Sequence, residues 1–472
     1  MSTSSQLLTD YFRCPATGVE FVSPVRGKAP SGFFRFGDGV ICYGSSSAMP
    51  LACTAGQPLY DALDDVCFES SQCMLPFDPA EVVSNLRRER YAPSAAGNGN
   101  GHGLHSAVRR AYYGVRPLLP VGVRKHFQRL FLAGRMGIPF PNWPVDRTVD
   151  RLLERLLVIS MKARGLVRIP FIWFWPEGHT SAVMMTHDVE MPAGMRFCST
   201  LMDIDEQHGL RSSFQLVPED RYAIPELLFR EIRSRGFEIN VHDLNHDGRL
   251  YWTREEFLRR AAKINQYART FGAKGFRAGV LYRNLDWYDA FDFAYDMSVP
   301  NVGHLDPQAG GCCTVMPYFV GGILELPVTT TQDYPLFQIH GEYSMELWNR
   351  QINLILDGHG LISFITHPDY LIERRARASY KALLASLARL RSEAGCWFAL
   401  PGEVNEWWRA RSRMRLVQEN GTWRIEGDEK ERARIAYACA DGNGVRFTTE
   451  TGAMALDRPV AQFSNSGLQA SA

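Results

Sequence analysis

An irregular (β/α) barrel of seven or eight parallel strands is the α/β fold class that this sequence predicts, on three observations. Between Ala182 and Leu400 short apolar runs alternate with stretches of helical periodicity, which is how strand–helix repeats around a parallel sheet read. The repeat recurs seven or eight times over about 220 residues, a span that fits a barrel better than an open sheet. Four of the runs end in clusters of titratable residues, and the carboxyl ends of the strands are where a parallel barrel assembles its chemistry.

The strand-like runs are Ala182 to Met185, Ser213 to Val217, Phe237 to Val241, Lys274 to Phe276, Phe293 to Met297, Ile323 to Val328, Leu361 to Ile365 and Cys396 to Leu400. Helical stretches between them include Leu227 to Arg235, Arg254 to Phe271, Ser344 to Leu356 and Arg374 to Arg391, with Gly236 and Gly272 as stops. The expected barrel occupies residues 181–411. Before it, residues 1–92 form a small irregular module rich in Gly, Ser, Pro and Cys. Residues 93–103, with four glycines and no large apolar side chain, read as a flexible linker. Residues 104–180 are a helical connector in which Val149, Leu152, Leu153, Leu156, Leu157 and Met161 recur at helical spacing. After the barrel, residues 412–472 make a small β module, with Asn420-Gly421 as a hairpin signal and a frayed tail.

The chain has 472 residues, 45 % hydrophobic and 22 % charged, which excludes wholesale disorder. Fifty-two Lys and Arg balance fifty-one Asp and Glu, so the basic field of a nucleic-acid binder is missing. No apolar stretch is long enough for a transmembrane helix and no secretory signal is evident, so the expected location is cytoplasmic. Ten cysteines without a Cys-x-x-Cys pair read as buried or free thiols.

The chemistry concentrates at four strand ends: Thr186-His187-Asp188-Val189-Glu190, His242-Asp243-Leu244-Asn245-His246, Arg277, and Thr366-His367-Pro368-Asp369. His242 and His246 are four apart, a spacing at which two imidazoles reach one divalent ion. Two solvated loop histidines beside Asp243 and Asp247 are the alternative. Asp188 and Glu190 alternate along an extended chain and point to one side while Val189 packs behind. One carboxylate could then bind metal while the other serves as general base. Phe171, Trp173 and Trp175 read as an aromatic strand packed at the barrel edge rather than a sugar platform. Arg409, Arg411, Arg413 and Arg415 read as a solvated charged face.

Taken together, these motifs resemble the polysaccharide deacetylase superfamily, carbohydrate esterase family 4, with its NodB-homology domain. The resemblance covers roughly Ala182 to Leu400. Thr186-His187-Asp188 resembles the family's Thr-x-Asp-Asp motif, His242 to His246 its His-x-x-x-His motif, Phe276-Arg277-Ala278-Gly279 its arginine motif and Ile365-Thr366-His367 its late histidine. Val189 stands where many members have the metal-binding Asp, and the carboxylate has moved to Glu190, the offset of the Thr-His-Asp-Val-Asp form. Gly279 and Val280 replace a common proline and aromatic, which points to an altered substrate groove.

The resemblance implies a divalent metal, zinc first, on Glu190, His242 and His246, with Asp188 as base, Arg277 supporting it and His367 as acid. The implied activity is removal of N-acetyl or O-acyl groups from a carbohydrate or glycan precursor, a hydrolase acting on non-peptide carbon–nitrogen bonds. Two alternatives stay open: a hydrolase of a different small amide, and a glycan-binding or assembly protein without activity. No nucleic-acid partner is expected, and the sequence names no protein partner.

Overall fold

The computed structural model describes residues 4–25, 30–69, 72–92, 132, 135–442 and 444–448. The expected linker 93–103, most of the segment that follows it up to residue 134, and the tail beyond residue 448 lie outside them. A curled, mostly parallel sheet organises the rest. In spatial order its strands are Tyr318–Val320, Ile323–Glu325, Tyr295–Asp296, Gly275–Arg277, Glu238–His242, Ser213–Leu216, Ala182–Val189 and Leu361–Thr366, with Trp397–Phe398 on the start of Ala182–Val189. Tyr318–Val320 is the antiparallel member. This half-barrel is the irregular (β/α) architecture that the strand–helix alternation implies.

Helices are held at the ends where their sequence signals sit. Thr253 caps Arg254–Phe271 by accepting from Glu256 N–H at 3.2 Å, and Gly272, at φ 58°, ends it. Glu373 accepts from two amides at the start of Arg374–Glu393. Pro192 opens Pro192–Gln207 directly after the first barrel strand.

Alternation along Ala182–Val189 divides the interior. Val183, Met185 and Val189 join a core with the outer helices, whereas Ala182 and Met184 join a second core. That second core also takes in Phe12, Phe34 and Phe77 from the N-terminal residues, helix Thr148–Arg164, and Phe171, Trp173 and Trp175. The three aromatics are fully buried, as a packed edge requires. Thr186 and Asp188 continue the Ala182–Met184 face towards the carboxyl end of the strand, so apolar packing below gives way to polar side chains above.

C-terminal residues form two hairpins, Arg415–Glu419 with Thr422–Glu426 and Ile435–Asp441 with Gly444–Thr448. The Asn420-Gly421 turn has both residues at positive φ, 49° and 81°. Strand Ile435–Asp441 also pairs with Arg168–Ile172, tying the chain's end to the segment that enters the barrel. All ten cysteines are free thiols. Among the described residues no helix is long and apolar enough to cross a membrane.

The expected solvated arginine face is corrected at Arg411, which is 1 % exposed. Arg409 to Arg413 belong to helix Pro401–Arg413, so their alternate spacing does not put them on one face. Arg411 Nε donates to the Trp173 carbonyl at 2.9 Å, and its Nη2 donates to the carbonyls of Tyr11, Phe12 and Ile172. Arg411→Met strands these acceptors in the interior, and urea unfolding is expected to show a loss of about 2–4 kcal/mol.

Asp306 makes the opposite case. Burial pushes its carboxyl from 3.8 up to about 6, against the pull of Arg283 and a hydrogen bond from Gln332. The folded chain thus holds this proton more tightly than the unfolded one, so stability falls as pH rises from about 3.8 to about 6. Asp306→Asn is expected to gain about 2–3 kcal/mol at pH 7, and the gain should vanish towards pH 4 in parallel urea titrations.

Candidate metal centre

Two strand ends supply a tight cluster. One ligand atom each from Glu190, His242 and His246 lies within 4.8 Å of the others. Glu190 Oε1 sits 3.0 Å from His246 Nε2 and 3.9 Å from His242 Nε2. His242 closes strand Glu238–His242, and His246 follows in a loop that turns through Asp243 and His246 at φ 56° and 54°. Non-glycine residues in that region are uncommon and mark a backbone that its surroundings hold. Arg221 fixes the loop by donating to the carbonyls of Asn245, at 3.1 Å, and His246, at 2.5 Å.

The ring of His242 is oriented from behind. Its Nδ1 lies 3.1 Å from the Arg277 carbonyl, which can only accept, so Nδ1 carries the proton and Nε2 presents a lone pair. That Nε2 and Asp188 Oδ1 are buried without a hydrogen-bond partner, and His246 Nε2 faces the Glu190 carboxylate 3.0 Å away. Buried polar atoms are rarely left so, and two imidazole nitrogens converging with the Glu190 carboxylate fit a cation site. Two imidazoles and a carboxylate at this reach suit a divalent ion such as zinc, with a coordination position left for water or substrate.

Asp188 lies beside this cluster. Its Oδ2 is 3.8 Å from His242 Nε2 and 3.6 Å from Arg277 Nη1. The same guanidinium donates to Thr186 Oγ1 at 3.0 Å. His187, between them, points the other way onto Thr366 and Asp205 and is structural. Both carboxylates therefore face one side, as the alternation implies.

His367 completes the group, with Nε2 3.5 Å from Glu190 Oε1. Its Nδ1 bonds Asp333 Oδ1 at 2.6 Å, and its backbone N–H donates to Asp333 Oδ2 at 2.8 Å. Burial opposes the charged imidazole, but the Asp333 carboxylate and Glu190 outweigh it and hold His367 well above the ordinary histidine range. Burial disfavours ionised Glu190, yet the neighbouring His246 outweighs it and holds the carboxyl well below its usual range. His246 is raised, with Glu190 overcoming its burial.

All six residues predicted from sequence thus meet at one mouth. Two more belong with them. Asp333 is the N-cap residue of helix Tyr334–His340, 34 residues before His367, with no spacing that links them, so pattern alone could not pair them. Asp369 carries a visible signal, two residues after His367 in Thr366-His367-Pro368-Asp369. Its carboxylate accepts from the N–H groups of Glu190 and Met191, each at 3.2 Å, and of Gly194 at 2.7 Å. It thereby aims Glu190 and caps helix Pro192–Gln207.

No family model matches the chain, and no curated protein matches it. Solved structures do. One is a protein from Mycobacterium smegmatis provisionally assigned as a polysaccharide deacetylase, at 20 % identity and TM-score 0.40 over 50 % of this chain and 93 % of that one. Another is an acetyl xylan esterase of family 4 from Clostridium thermocellum with a cobalt ion, at 14 % identity and TM-score 0.33 over 48 % and 91 %. A third is the PuuE allantoinase, at 13 % identity and TM-score 0.36 over 50 % and 92 %.

Asp369→Ala leaves three amides at the start of helix Pro192–Gln207 without their acceptor and frees the Glu190 backbone. Zinc affinity, measured by competition with a chromophoric chelator, is expected to fall about 10–100-fold.

Proposed function

We infer that the protein is a metal-dependent hydrolase that removes N-acetyl or O-acyl groups from a carbohydrate or glycan precursor. What supports this most is the convergence of Glu190, His242 and His246 within 4.8 Å, with His242 Nε2 and Asp188 Oδ1 buried and unpartnered, beside a His367–Asp333 pair. The four sequence motifs that resemble the family 4 esterases are the ones that converge here. A divalent ion, zinc on this donor set, would be held by Glu190, His242 and His246 and would supply Lewis acidity to the acyl carbonyl and its attacking water.

Asp188 takes the proton of that water, and the Arg277 guanidinium, 3.6 Å away, orients the carboxylate. His367 gives its Nε2 proton to the departing nitrogen or oxygen while Asp333 holds Nδ1. The water oxygen stays on the acyl carbon, the carbon–nitrogen or carbon–oxygen bond breaks, and acetate leaves with a free amine or alcohol. Each proton transfer is worth about 10²–10⁴-fold, and an amide needs both because its nitrogen leaves poorly unless protonated.

Plasma mass spectrometry of protein purified without chelator or nickel is expected to find near-stoichiometric zinc, and His242→Ala to lose it. Asp188→Asn is expected to keep the metal while acetate release from N-acetylated chito-oligosaccharides drops by about 100-fold or more. Loss of metal in that variant would make Asp188 a ligand instead. A wild-type chain that takes no metal even on reconstitution would favour a glycan-binding protein without catalysis.

A further inference from the structure

The segment after helix Pro79–Arg87 packs a buried charge against two loops of the barrel. Glu89 is 3 % exposed and its partner Arg283 is 4 % exposed. Arg283 Nε donates to Glu89 Oε2 at 2.7 Å, while Arg283 Nη2 and the Gly311 N–H donate to Glu89 Oε1. Arg283 Nη1 turns back to the Leu281 carbonyl at 2.7 Å, and Gln308 brackets the Arg283 backbone on both its N–H and its carbonyl. One carboxylate of the N-terminal region thus grips two loops of the barrel.

The loop held through Arg283 is the one that starts at Arg277. Val280 and Leu281 both sit at positive φ, 62° and 52°, a conformation that a β-branched residue adopts only when its surroundings impose it. The loop meets the metal centre at its backbone. The Arg277 carbonyl holds His242 Nδ1, and at Gly279 a Cβ would lie 2.4 Å from Asp243 Oδ2 and 3.1 Å from His246 Cδ2. A small displacement of this loop therefore moves both imidazoles. Burying an ion pair is a costly way to tie two loops, and removing one partner leaves the other charge uncompensated.

We propose that Glu89 and Arg283 are positioning residues for the metal centre, a clamp by which the N-terminal region holds the Arg277–Arg283 loop against His242 and His246. This rests on the metal reading above, and it makes the N-terminal region part of the site rather than an independent attachment. The adjoining Arg88–Asp286 pair, whose Asp286 side chain is 64 % exposed, belongs to the same segment but not to the clamp.

The test is titration of the full chain with zinc and with cobalt(II), whose visible bands report the geometry of the nitrogen and oxygen ligands. Glu89→Gln and Arg283→Lys are expected to weaken zinc binding about tenfold and to alter the cobalt bands, at temperatures where circular dichroism shows the metal-free chain folded. Arg88→Ala is expected to match the wild type in both. A purely structural pair would lower the melting temperature and leave affinity and bands as they were. That result in either folded variant, an equal effect in Arg88→Ala, or failure of both variants to fold overturns the proposal. A wild-type chain that binds neither ion overturns the metal reading itself, which separates the two failures.

Discussion

Arg277 touches both halves of the site with different parts of itself: its carbonyl accepts from His242 Nδ1 and from the Asp243 N–H, and its guanidinium reaches Thr186 and Asp188. This depends on register. Arg277 and His242 are directly paired across parallel strands, so one residue's peptide can set the ring of its neighbour. The peptide is pinned in turn, because the Ala278 N–H donates to Ser298 Oγ and Ser298 donates to Asp296. Rotation of this one peptide would cost the His242 tautomer and the placement of Asp188 together.

The ionisable groups at the mouth are packed against one another and kept from water. Asp188 is 2 % exposed, His242 1 % and His246 5 %. In such a place each charge is affordable only with a close opposite one, and interactions between the groups are stronger than they would be in water. A small apolar cluster of Leu281, Val328 and Ile365, contributed by the ends of three barrel strands and their loops, keeps one part of the mouth dry. Stability is given up to hold the cluster this way, as expected where local packing rules are broken for chemistry.

Much of this was legible without coordinates. Apolar runs marked the barrel strands because parallel strands are buried on both faces, and strand ends marked the candidate residues because side chains alternate at a fixed period. His242 with His246, and Asp188 with Glu190, needed only short spacings. Asp333 did not share that advantage: its link to His367 spans two helices and a strand. Arginines at alternate positions share one face only where the chain is extended, and Arg409 to Arg413 are helical, which buries Arg411. The N-terminal contribution was read as a separate module, and no local pattern could reveal that Glu89 ends 2.7 Å from Arg283.

What the sequence by itself determined is the inventory and its local geometry: which residue types stand at strand ends, which face they share, and which could ligate or transfer protons. Period-two alternation and parallel strand direction are properties of the local backbone, so they can be read from neighbours in the chain. Only the tertiary structure decided that Asp333 holds His367, that Asp369 aims Glu190, and that a carboxylate from the N-terminal region is buried against the Arg277 loop. Those are contacts between residues far apart in sequence, formed where curling of the sheet and packing of two cores bring loops together, and no spacing along the chain encodes them.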